Sequence, residues 1–422
     1  MPTVSLIGRG ALSSAADRIK AMGLRKALVV TDAGLLAAGA VTAITDVLDK
    51  VGVAYSIYAG CEPNPTVQQV EAGKAQFVAE GCDCVISFGG GSPHDCAKGI
   101  AIIASPDNSD DVRDFEGVDK MTGPMVPLYA CNTTAGTASE MTRFAILTDP
   151  ARKVKMVRLF FSRRSRPPPP PAATVPFPAP HVTTFSSSSP HPPPTSSQAI
   201  IDARCTPLLA INDSLLMQAM PPALTAATGM DALTHAVEAY VSTASTPLTD
   251  ACALQAIKLV SKFLRRAVHT PNDLEARDGM AWAEFAAGCA FNSAGLGYVH
   301  ALAHALGGAK NLPHGVCNAV LLPAVQEFNA AACPDLFIDI ADALGVGAPG
   351  MAARDAVDAV LKEIRQLSAD VAIPPNLAAL GVVPADFDLL ADNAMKDACG
   401  ATNPRAPTRD EVLGLLKAAH EQ

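Results

Sequence analysis

One aspartate and four histidines are the residues of this chain whose types and spacing best suit chemistry. Asp231 and His235 stand four residues apart, and His300 and His304 repeat that spacing ahead of His314. Side chains four apart project from the same face of a helix. Imidazole and carboxylate donors together suit Fe(II), Zn(II) or Co(II). The pattern predicts a divalent-metal site between helices, although a lone Asp–His pair of this kind is more often a surface contact or a satisfied core pair.

These side chains need helices to position them, and the second half of the chain has helical patterns. Strand signals disappear from about Pro221, and segments rich in helix formers follow at 221–243, 247–268, 274–294, 353–367 and 409–420. His314 comes directly after Pro313, where Asn-Leu-Pro is typical of a helix start. The sequence therefore predicts an all-α C-terminal domain over 221–422 that contains every candidate ligand.

The first part of the chain alternates predicted strands with predicted helices. Short apolar runs lie at 27–32, 82–91 and 125–130, and helical stretches between and around them include 11–22, 66–80 and 95–104. Such alternation is typical of a parallel sheet covered by helices on both faces. We therefore expect an α/β domain over 1–220.

Two loops in this part are suited to binding a phosphate group. The first follows a predicted strand and precedes a helix, and consists of Gly89, Gly90, Gly91 and Ser92. Glycines let the backbone approach a pyrophosphate, whose charge then meets the N–H groups at the helix start. A simple tight turn explains the same residues equally well. The second loop, CNTTAGTASE, follows another predicted strand and offers the hydroxyls of Thr133, Thr134, Thr137 and Ser139.

Three segments carry a family resemblance: TAATGMDALTHAVEAY, GYVHALAHALGG and NLPHGVCNAVLLP. They resemble the iron-dependent (group III) alcohol dehydrogenases, in particular the alcohol dehydrogenase II and lactaldehyde reductase branch. The resemblance runs from about Val4 to Gln422 with one interruption. It implies a Rossmann-like N-terminal domain, an all-α C-terminal domain and an active site in the cleft between them.

The resemblance also divides the histidines by role. The family's metal ligands match Asp231, His235, His300 and His314, which are all present. His304 matches a histidine that does not bind the metal and lies near the nicotinamide, where it relays a proton. The expected cofactors are NAD and Fe(II), with Zn(II) as the alternative, because both ions accept three imidazoles and a carboxylate.

The cofactor positions follow from the same resemblance, which implies that the two phosphate-type loops hold the dinucleotide. Asp32 matches the position that receives the adenosine ribose. A carboxylate there accepts a hydrogen bond from a 2′-hydroxyl and repels a 2′-phosphate, which favours NAD over NADP. A helix N-cap is the simpler explanation of Asp32. Lys155 matches a lysine near the nicotinamide ribose, although on sequence alone it could be an exposed charge at a strand end.

The expected reaction is reversible oxidation of a small primary alcohol by hydride transfer to NAD. Phe144, Phe291 and Cys399 match positions around the family's substrate pocket, and an apolar lining suggests ethanol or propanol. Each of them is also a common core residue. The alternatives are a glycerol dehydrogenase-like polyol oxidoreductase, a dehydroquinate synthase-like lyase, or a catalytically impaired scaffold that binds partners through a proline-rich loop.

That loop is the interruption in the resemblance, at about 157–198. It holds 12 of the 34 prolines and four arginines, and it has no acidic residue. Its composition predicts disorder or polyproline II structure. Joining Met156 directly to Ala199 restores a continuous family-like run. The segment is therefore interpreted either as an error in the coding sequence, such as a retained in-frame intron, or as an insert that recruits SH3- or WW-type partners.

Composition narrows the remaining classes of function. The 422 residues allow two domains, and the net charge of −9 argues against a nucleic-acid binder. The eleven cysteines form no C-x-x-C pair, which is typical of reduced thiols and predicts a cytoplasmic location. No secretory signal and no 18-residue apolar run is evident, so no membrane span is expected. A homodimer is expected from the family resemblance.

Overall fold

The computed structural model describes residues 4–149 and 198–422, and its first part is built from short parallel strands with helices between them. The strands are β1 (Val4–Ile7), β2 (Lys26–Asp32), β3 (Ala54–Cys61), β4 (Cys84–Gly89), β5 (Gly117–Val118), β6 (Leu128–Asn132), β7 (Phe144–Leu147), β8 (Gln198–Ile201) and β9 (Leu209–Asn212). The helices of this part are α1 (Ala11–Ala21), α2 (Ala33–Ala37), α3 (Thr42–Val51), α4 (Val67–Ala79) and α5 (Gly91–Ile103).

Six of these strands form one parallel sheet in the order β1-β9-β6-β4-β2-β3. Alternate residues of a strand face opposite sides of the sheet, so both sides must be covered. Ala27 and Val29 of β2 pack in the cluster that contains α1 and α3. Leu28 and Val30 pack on the other side, in the cluster that contains α4 and α5. The predicted sheet with two helical layers is confirmed.

A smaller sheet has the order β5-β8-β7 and joins two distant parts of the chain. β7 and β8 are antiparallel, with Leu147 paired with Gln198 and Phe144 paired with Ile201. The two ends of the interrupting segment are therefore neighbours in this sheet. Lys155 and the insert predicted at 157–198, apart from Gln198, lie outside the described residues.

The described residues after Pro221 contain helices and short 3₁₀ turns, as the sequence predicted. The helices are α6 (Pro222–Val241), α7 (Pro247–His269), α8 (Leu274–Ala294), α9 (Tyr298–Lys310), α10 (His314–Ala330), α11 (Leu336–Leu344), α12 (Ala353–Asp370), α13 (Phe387–Ala394) and α14 (Arg409–Glu421). Every residue of α6 from Thr225 to Val241 is buried, so α6 is the central helix of this domain. In the described ranges, none of the helices is both long and apolar enough to span a membrane.

Two predicted boundaries were wrong in their details. The helix expected at 95–104 begins at Gly91, because Gly90 serves as its N-cap and Pro93 is tolerated within the first turn. The strand expected at 125–130 lies at Leu128–Asn132. In both cases regular secondary structure extends further into the adjacent phosphate-type loop than expected. All eleven cysteines are free thiols.

Candidate active site

A cavity of about 670 Å³ lies between the α/β part and the helical part of the molecule. Its wall includes Gly90 and Gly91 from the α/β part, and Asp231, His300 and His314 from the helical part. Both groups of residues predicted to do chemistry therefore face the same space.

Asp231, His235, His300 and His314 come together at one end of this cavity. A donor atom of each lies within 4.8 Å of the donor atoms of the others. From Asp231 Oδ1, the Nε2 atoms are at 3.6 Å for His314, 3.8 Å for His300 and 4.0 Å for His235. Three imidazole nitrogens thus surround one carboxylate oxygen.

Three helices position these four side chains. Asp231 and His235 are one turn apart on α6, His300 lies in the first turn of α9, and His314 is the first residue of α10. α9 ends at Asn311, whose left-handed backbone (φ 53°) reverses the chain. Pro313 then serves as the N-cap of α10.

The start of α10 lies unusually close to α6. A Cβ added at Gly315 would lie 2.3 Å from the carbonyl oxygen of Ala227 on α6. Glycine at this position therefore allows the approach that brings His314 to Asp231.

Burial sets the charge state of the cluster. The Asp231 and His300 side chains are 2% and 1% exposed, whereas His314 is 29% exposed at the cavity mouth. Burial raises the pKa of Asp231, although the neighbouring His235 opposes the shift. Burial also lowers the pKa of His235, and it lowers that of His300 well below the usual histidine range. The imidazoles of His235 and His300 are therefore neutral near pH 7, which is the state that binds a metal.

The cluster fits a divalent ion. Donors about 2.1 Å from a common ion lie roughly 3.0–3.4 Å apart, so the three nitrogens need to approach Asp231 Oδ1 by about 1 Å or less from their present 3.6–4.0 Å. Neutral imidazoles with one carboxylate match the nitrogen and oxygen preference of Fe(II) and Zn(II). A buried carboxylate also gains from a cation at its oxygen, because an isolated buried charge is costly.

Two further polar residues support the cluster, and neither was predicted from the sequence. Glu238 Oε2 lies 2.6 Å from His300 Nδ1. Asn318 Nδ2 donates to Asp231 Oδ1 at 2.6 Å and lies 3.1 Å from His314 Nε2. Glu238 and Asn318 follow a ligand on their own helices by seven and four residues, so a search along the helix faces would have found both.

Another polar residue that was not predicted from the sequence, Asp397, binds His304 beside the cluster. Asp397 Oδ2 lies 2.9 Å from His304 Nδ1, and its Oδ1 accepts the N–H of Cys399 at 2.8 Å. His304 lines the cavity one turn beyond His300 on α9 and stacks on His314, with ring centroids 5.2 Å apart. Asp397 is remote in sequence, and no spacing pointed to it.

The predicted phosphate loops form the other end of the cavity. The cavity is lined there by Gly90, Gly91, Ser92, Thr134, Thr137 and Ser139. A Cβ on Gly90 would lie 2.8 Å from Thr134, and one on Gly91 would lie 3.0 Å from Thr137. The two loops therefore approach each other over backbone that has no side chain, beside the start of α5. Exposed N–H groups at a helix start suit a pyrophosphate.

The other two predicted cofactor residues of these loops, Gly89 and Thr133, lie behind this surface. The peptide N–H of Thr133 donates to the carbonyl of Gly89 at 2.9 Å, which ties the two loops together. Neither residue lines the cavity among the described residues.

Asp32 lines the cavity and also caps a helix. Its Oδ1 accepts the N–H of Leu35 at 2.9 Å, at the start of α2. The helix-cap explanation of Asp32 is confirmed, and the ribose contact stays a prediction for a carboxylate that lines the cavity. The cap holds one oxygen in place on the cavity wall.

The predicted substrate residues Phe144, Phe291 and Cys399 all line the cavity. The Phe291 ring stacks on His235 with centroids 4.2 Å apart, and Phe144 lies 6.1 Å from Phe291. The buried Lys98 donates to the backbone carbonyl of Phe144 at 2.5 Å and so supports this wall. Burial raises the pKa of the Cys399 thiol, which stays neutral.

A glycine-lined phosphate loop on a parallel sheet, facing three histidines and a carboxylate on a helical domain, is the arrangement of a metal-dependent, dinucleotide-linked dehydrogenase. Two family descriptions match the sequence. "Iron-containing alcohol dehydrogenase" matches residues 2–167, and "Fe-containing alcohol dehydrogenase family, C-terminal" matches residues 225–420.

Similar proteins agree with this class. Alcohol dehydrogenase 4 of Schizosaccharomyces pombe is 47% identical over 99% of this chain and 88% of its own length. The NAD-dependent methanol dehydrogenase of Bacillus methanolicus is 38% identical over 99% of this chain and 98% of its own. The crystal structure of a 1,3-propanediol oxidoreductase superposes with a TM-score of 0.87 at 41% identity, covering 99% of this chain and 98% of its own. The chain belongs to the iron-containing alcohol dehydrogenase family.

Proposed function

We propose that this protein is an NAD-linked, iron-dependent dehydrogenase that interconverts a small primary alcohol and its aldehyde. The observation that supports it best is the single cavity between the two domains. Asp231 and His300 line it from the helical part, Gly90 and Gly91 line it from the α/β part, and Phe291 also lines it. A substrate bound in this cavity can therefore contact both groups of residues.

The residues at the metal end fit Fe(II), with Zn(II) as the chemical alternative, through Asp231, His235, His300 and His314. When bound, the metal supplies a Lewis acid for the negative charge that develops on the alcohol oxygen, and NAD supplies the hydride acceptor.

The remaining steps belong to the side chains of this chain. His304, with Nδ1 held by Asp397, has Nε2 available to take the alcohol proton and pass it toward the cavity mouth. Phe144 and Phe291 exclude water from the carbon that loses hydride. The N–H groups at the start of α5 fix the pyrophosphate and hence the position of the nicotinamide.

An apolar wall sets the substrate class. Phe144, Ile146, Phe291 and Leu296 line the cavity near His235. Such a wall accommodates a short alkyl chain, so ethanol and propanol are the proposed substrates. The relatives named for methanol and for 1,3-propanediol are consistent with a small alcohol.

The Asp32 carboxylate on the cavity wall favours NAD over NADP, since it repels a 2′-phosphate. The proposal also includes a domain boundary near residue 220, a homodimer and a cytoplasmic location.

The test is an assay of NAD reduction after anaerobic loading with Fe(II). Ethanol, 1-propanol, 1,3-propanediol and glycerol are compared as substrates, with the full chain and with a variant lacking 157–198. His300→Ala serves as the control that lacks a ligand. NADH formation that requires Fe(II) and His300 is expected with the monohydric alcohols. If neither protein reduces NAD with any of the four alcohols, the proposal fails.

A further inference from the structure

We propose that Glu238 is a positioning residue for the metal centre. Its carboxylate accepts the Nδ1–H of His300 and thereby directs His300 Nε2 toward Asp231. This inference rests on the proposed function, because it assumes that a metal binds at the cluster.

The contact is short and buried. Glu238 Oε2 lies 2.6 Å from His300 Nδ1, and the two side chains are 0% and 1% exposed. The other oxygen, Oε1, accepts the N–H of Val299 at 2.7 Å. Both oxygens are thus bound to the start of α9, and the carboxylate cannot rotate away without breaking two hydrogen bonds.

The helix that carries Glu238 also carries two ligands. Asp231, His235 and Glu238 are spaced by four and three residues on α6, which places them on one face. The His300 ring is further held by stacking on His235, with centroids 4.6 Å apart. Rotating the ring by half a turn would place carbon atoms at both polar contacts, so one orientation is selected.

The role follows from the chemistry of histidine. A neutral imidazole carries one N–H, and only the other nitrogen has a lone pair for a metal. Burial raises the pKa of Glu238 to about 8, and backbone N–H groups at the start of α9, including that of Val299, oppose this shift. In its ionised form, which these donors favour, the Glu238 carboxylate selects the tautomer whose Nε2 faces Asp231. Without an acceptor at Nδ1, the Nε2–H tautomer competes and the ring loses its anchor.

The neighbouring His304 shows that the pairing is specific. It lies one turn further along α9, yet its Nδ1 is bound by Asp397 at 2.9 Å and not by Glu238. Each histidine has its own carboxylate from a different element. Removing Glu238 should therefore weaken metal binding and leave the hydrogen bond between Asp397 and His304 intact.

The experiment measures Zn(II) and Co(II) affinity by competition with a chelator, for wild type, Glu238→Met and Glu238→Gln. Glu238→Met is expected to weaken binding about 10- to 100-fold, the usual effect of removing such a partner. Glu238→Gln keeps an acceptor for Nδ1–H but loses its charge, so a loss of about 3- to 10-fold is expected.

Asn403→Ala is the matched control, because Glu238 also caps α9. Asn403 Oδ1 accepts the N–H of Tyr298 at 3.2 Å at the same helix end and does not contact His300. The thermal midpoint of each metal-free protein measures the structural cost of each change. Asn403→Ala is expected to lower this midpoint and to bind metal like wild type.

The outcomes separate the two proposals. If wild type binds neither ion, the proposed function fails. If wild type binds and the folded Glu238 variants bind equally well, this inference alone is overturned. Loss of affinity in Asn403→Ala equal to that in the Glu238 variants also overturns it, because helix capping would then explain the effect.

Discussion

His304 Nδ1 lies 2.9 Å from Asp397 Oδ2, and this contact gives the histidine beside the candidate ligands a carboxylate partner of its own. Asp397 precedes the short 3₁₀ turn Ala398–Thr402, and its other oxygen caps that turn at Cys399. The carboxylate is thus fixed from its own side of the cavity. His304 keeps one nitrogen bound and the other free for proton transfer.

We therefore expect His304→Gln to lower kcat by about 100-fold without releasing the metal, because positioned acid–base groups contribute about 10²–10⁴ in rate. Asp397→Asn should lower kcat by about tenfold, since the ring keeps its place but loses its charged partner. Steady-state rates with 1-propanol and metal content per chain are measured together. An unchanged kcat in His304→Gln would rule out the relay.

His314 is expected to be the ligand whose loss the fold tolerates best, because its side chain is 29% exposed while that of His300 is 1% exposed. His314→Ala should lose at least about 90% of bound Fe(II) and all measurable activity, with an unchanged circular dichroism spectrum. Metal content is measured by mass spectrometry after gel filtration. His304→Gln is the control that should retain metal. Full metal content in His314→Ala would remove His314 from the ligand set.

The helix cap formed by Asp32 and its proposed contact with the adenosine ribose can be separated by two substitutions. Asn at this position keeps an oxygen for the Leu35 N–H but has no charge, whereas Ala loses both. Asp32→Asn should lower KM for NADP about tenfold with little change in stability. Asp32→Ala should lower the KM for NADP by a similar factor. It should also lower the free energy of unfolding by about 1 kcal/mol, because the helix cap is lost. If NADP remains excluded in both variants, Asp32 does not face the ribose.

The cluster of candidate ligands was predictable from the sequence because much of its geometry is local. Asp231 and His235 lie on one helix turn, and a single proline places His314 at the start of α10. The partners of His300 and His304 are different. Glu238 could be found only by following the face of α6 further, and Asp397 reaches α9 by tertiary packing that no spacing encodes.

In the α/β part, too, local features were predictable from the sequence and long-range contacts were not. Its strands were visible as apolar runs, because strands buried on both faces have little alternation. Two long-range contacts were not predictable. One is the pairing of β7 with β8, and the other is the contact of α8 with the end of β6 and the loop that follows it. They depend on residues about 50 and 150 positions apart, such as Leu147 with Gln198 and Asn132 with Glu284.

That second contact predicts a dependence of stability on pH. Glu284 on α8 is fully buried and accepts hydrogen bonds from Asn132 Nδ2 at 2.9 Å and from the N–H of Ala138 at 2.9 Å. Burial and the nearby Glu140 raise the pKa of Glu284 well above 4.5. The folded protein therefore holds a proton that the unfolded chain releases as the pH rises above that value.

Stability should consequently fall as the pH rises above about 4.5, with a slope approaching about 1.4 kcal/mol per pH unit from this group until the pH passes the raised pKa of Glu284. Glu284→Gln mimics the protonated carboxyl and should flatten that slope. Urea unfolding at several pH values measures the difference. Equal slopes in wild type and variant would show that Glu284 is ionised in the folded protein.

Removal of residues 157–197 is expected to leave the fold intact. The two flanking strands are already adjacent, with Leu147 paired with Gln198 and Ala145 paired with Ile200. A shorter connection between paired strands loses less entropy on closure, which should stabilise the protein by about 1 kcal/mol. The shortened chain should bind metal and NAD like the full chain, measured by metal content, KM for NAD and the thermal midpoint. A fall in the midpoint with loss of NAD binding would show that the segment contributes to the cofactor end of the cavity. In that case the intact mass of the native protein should be near 43.5 kDa.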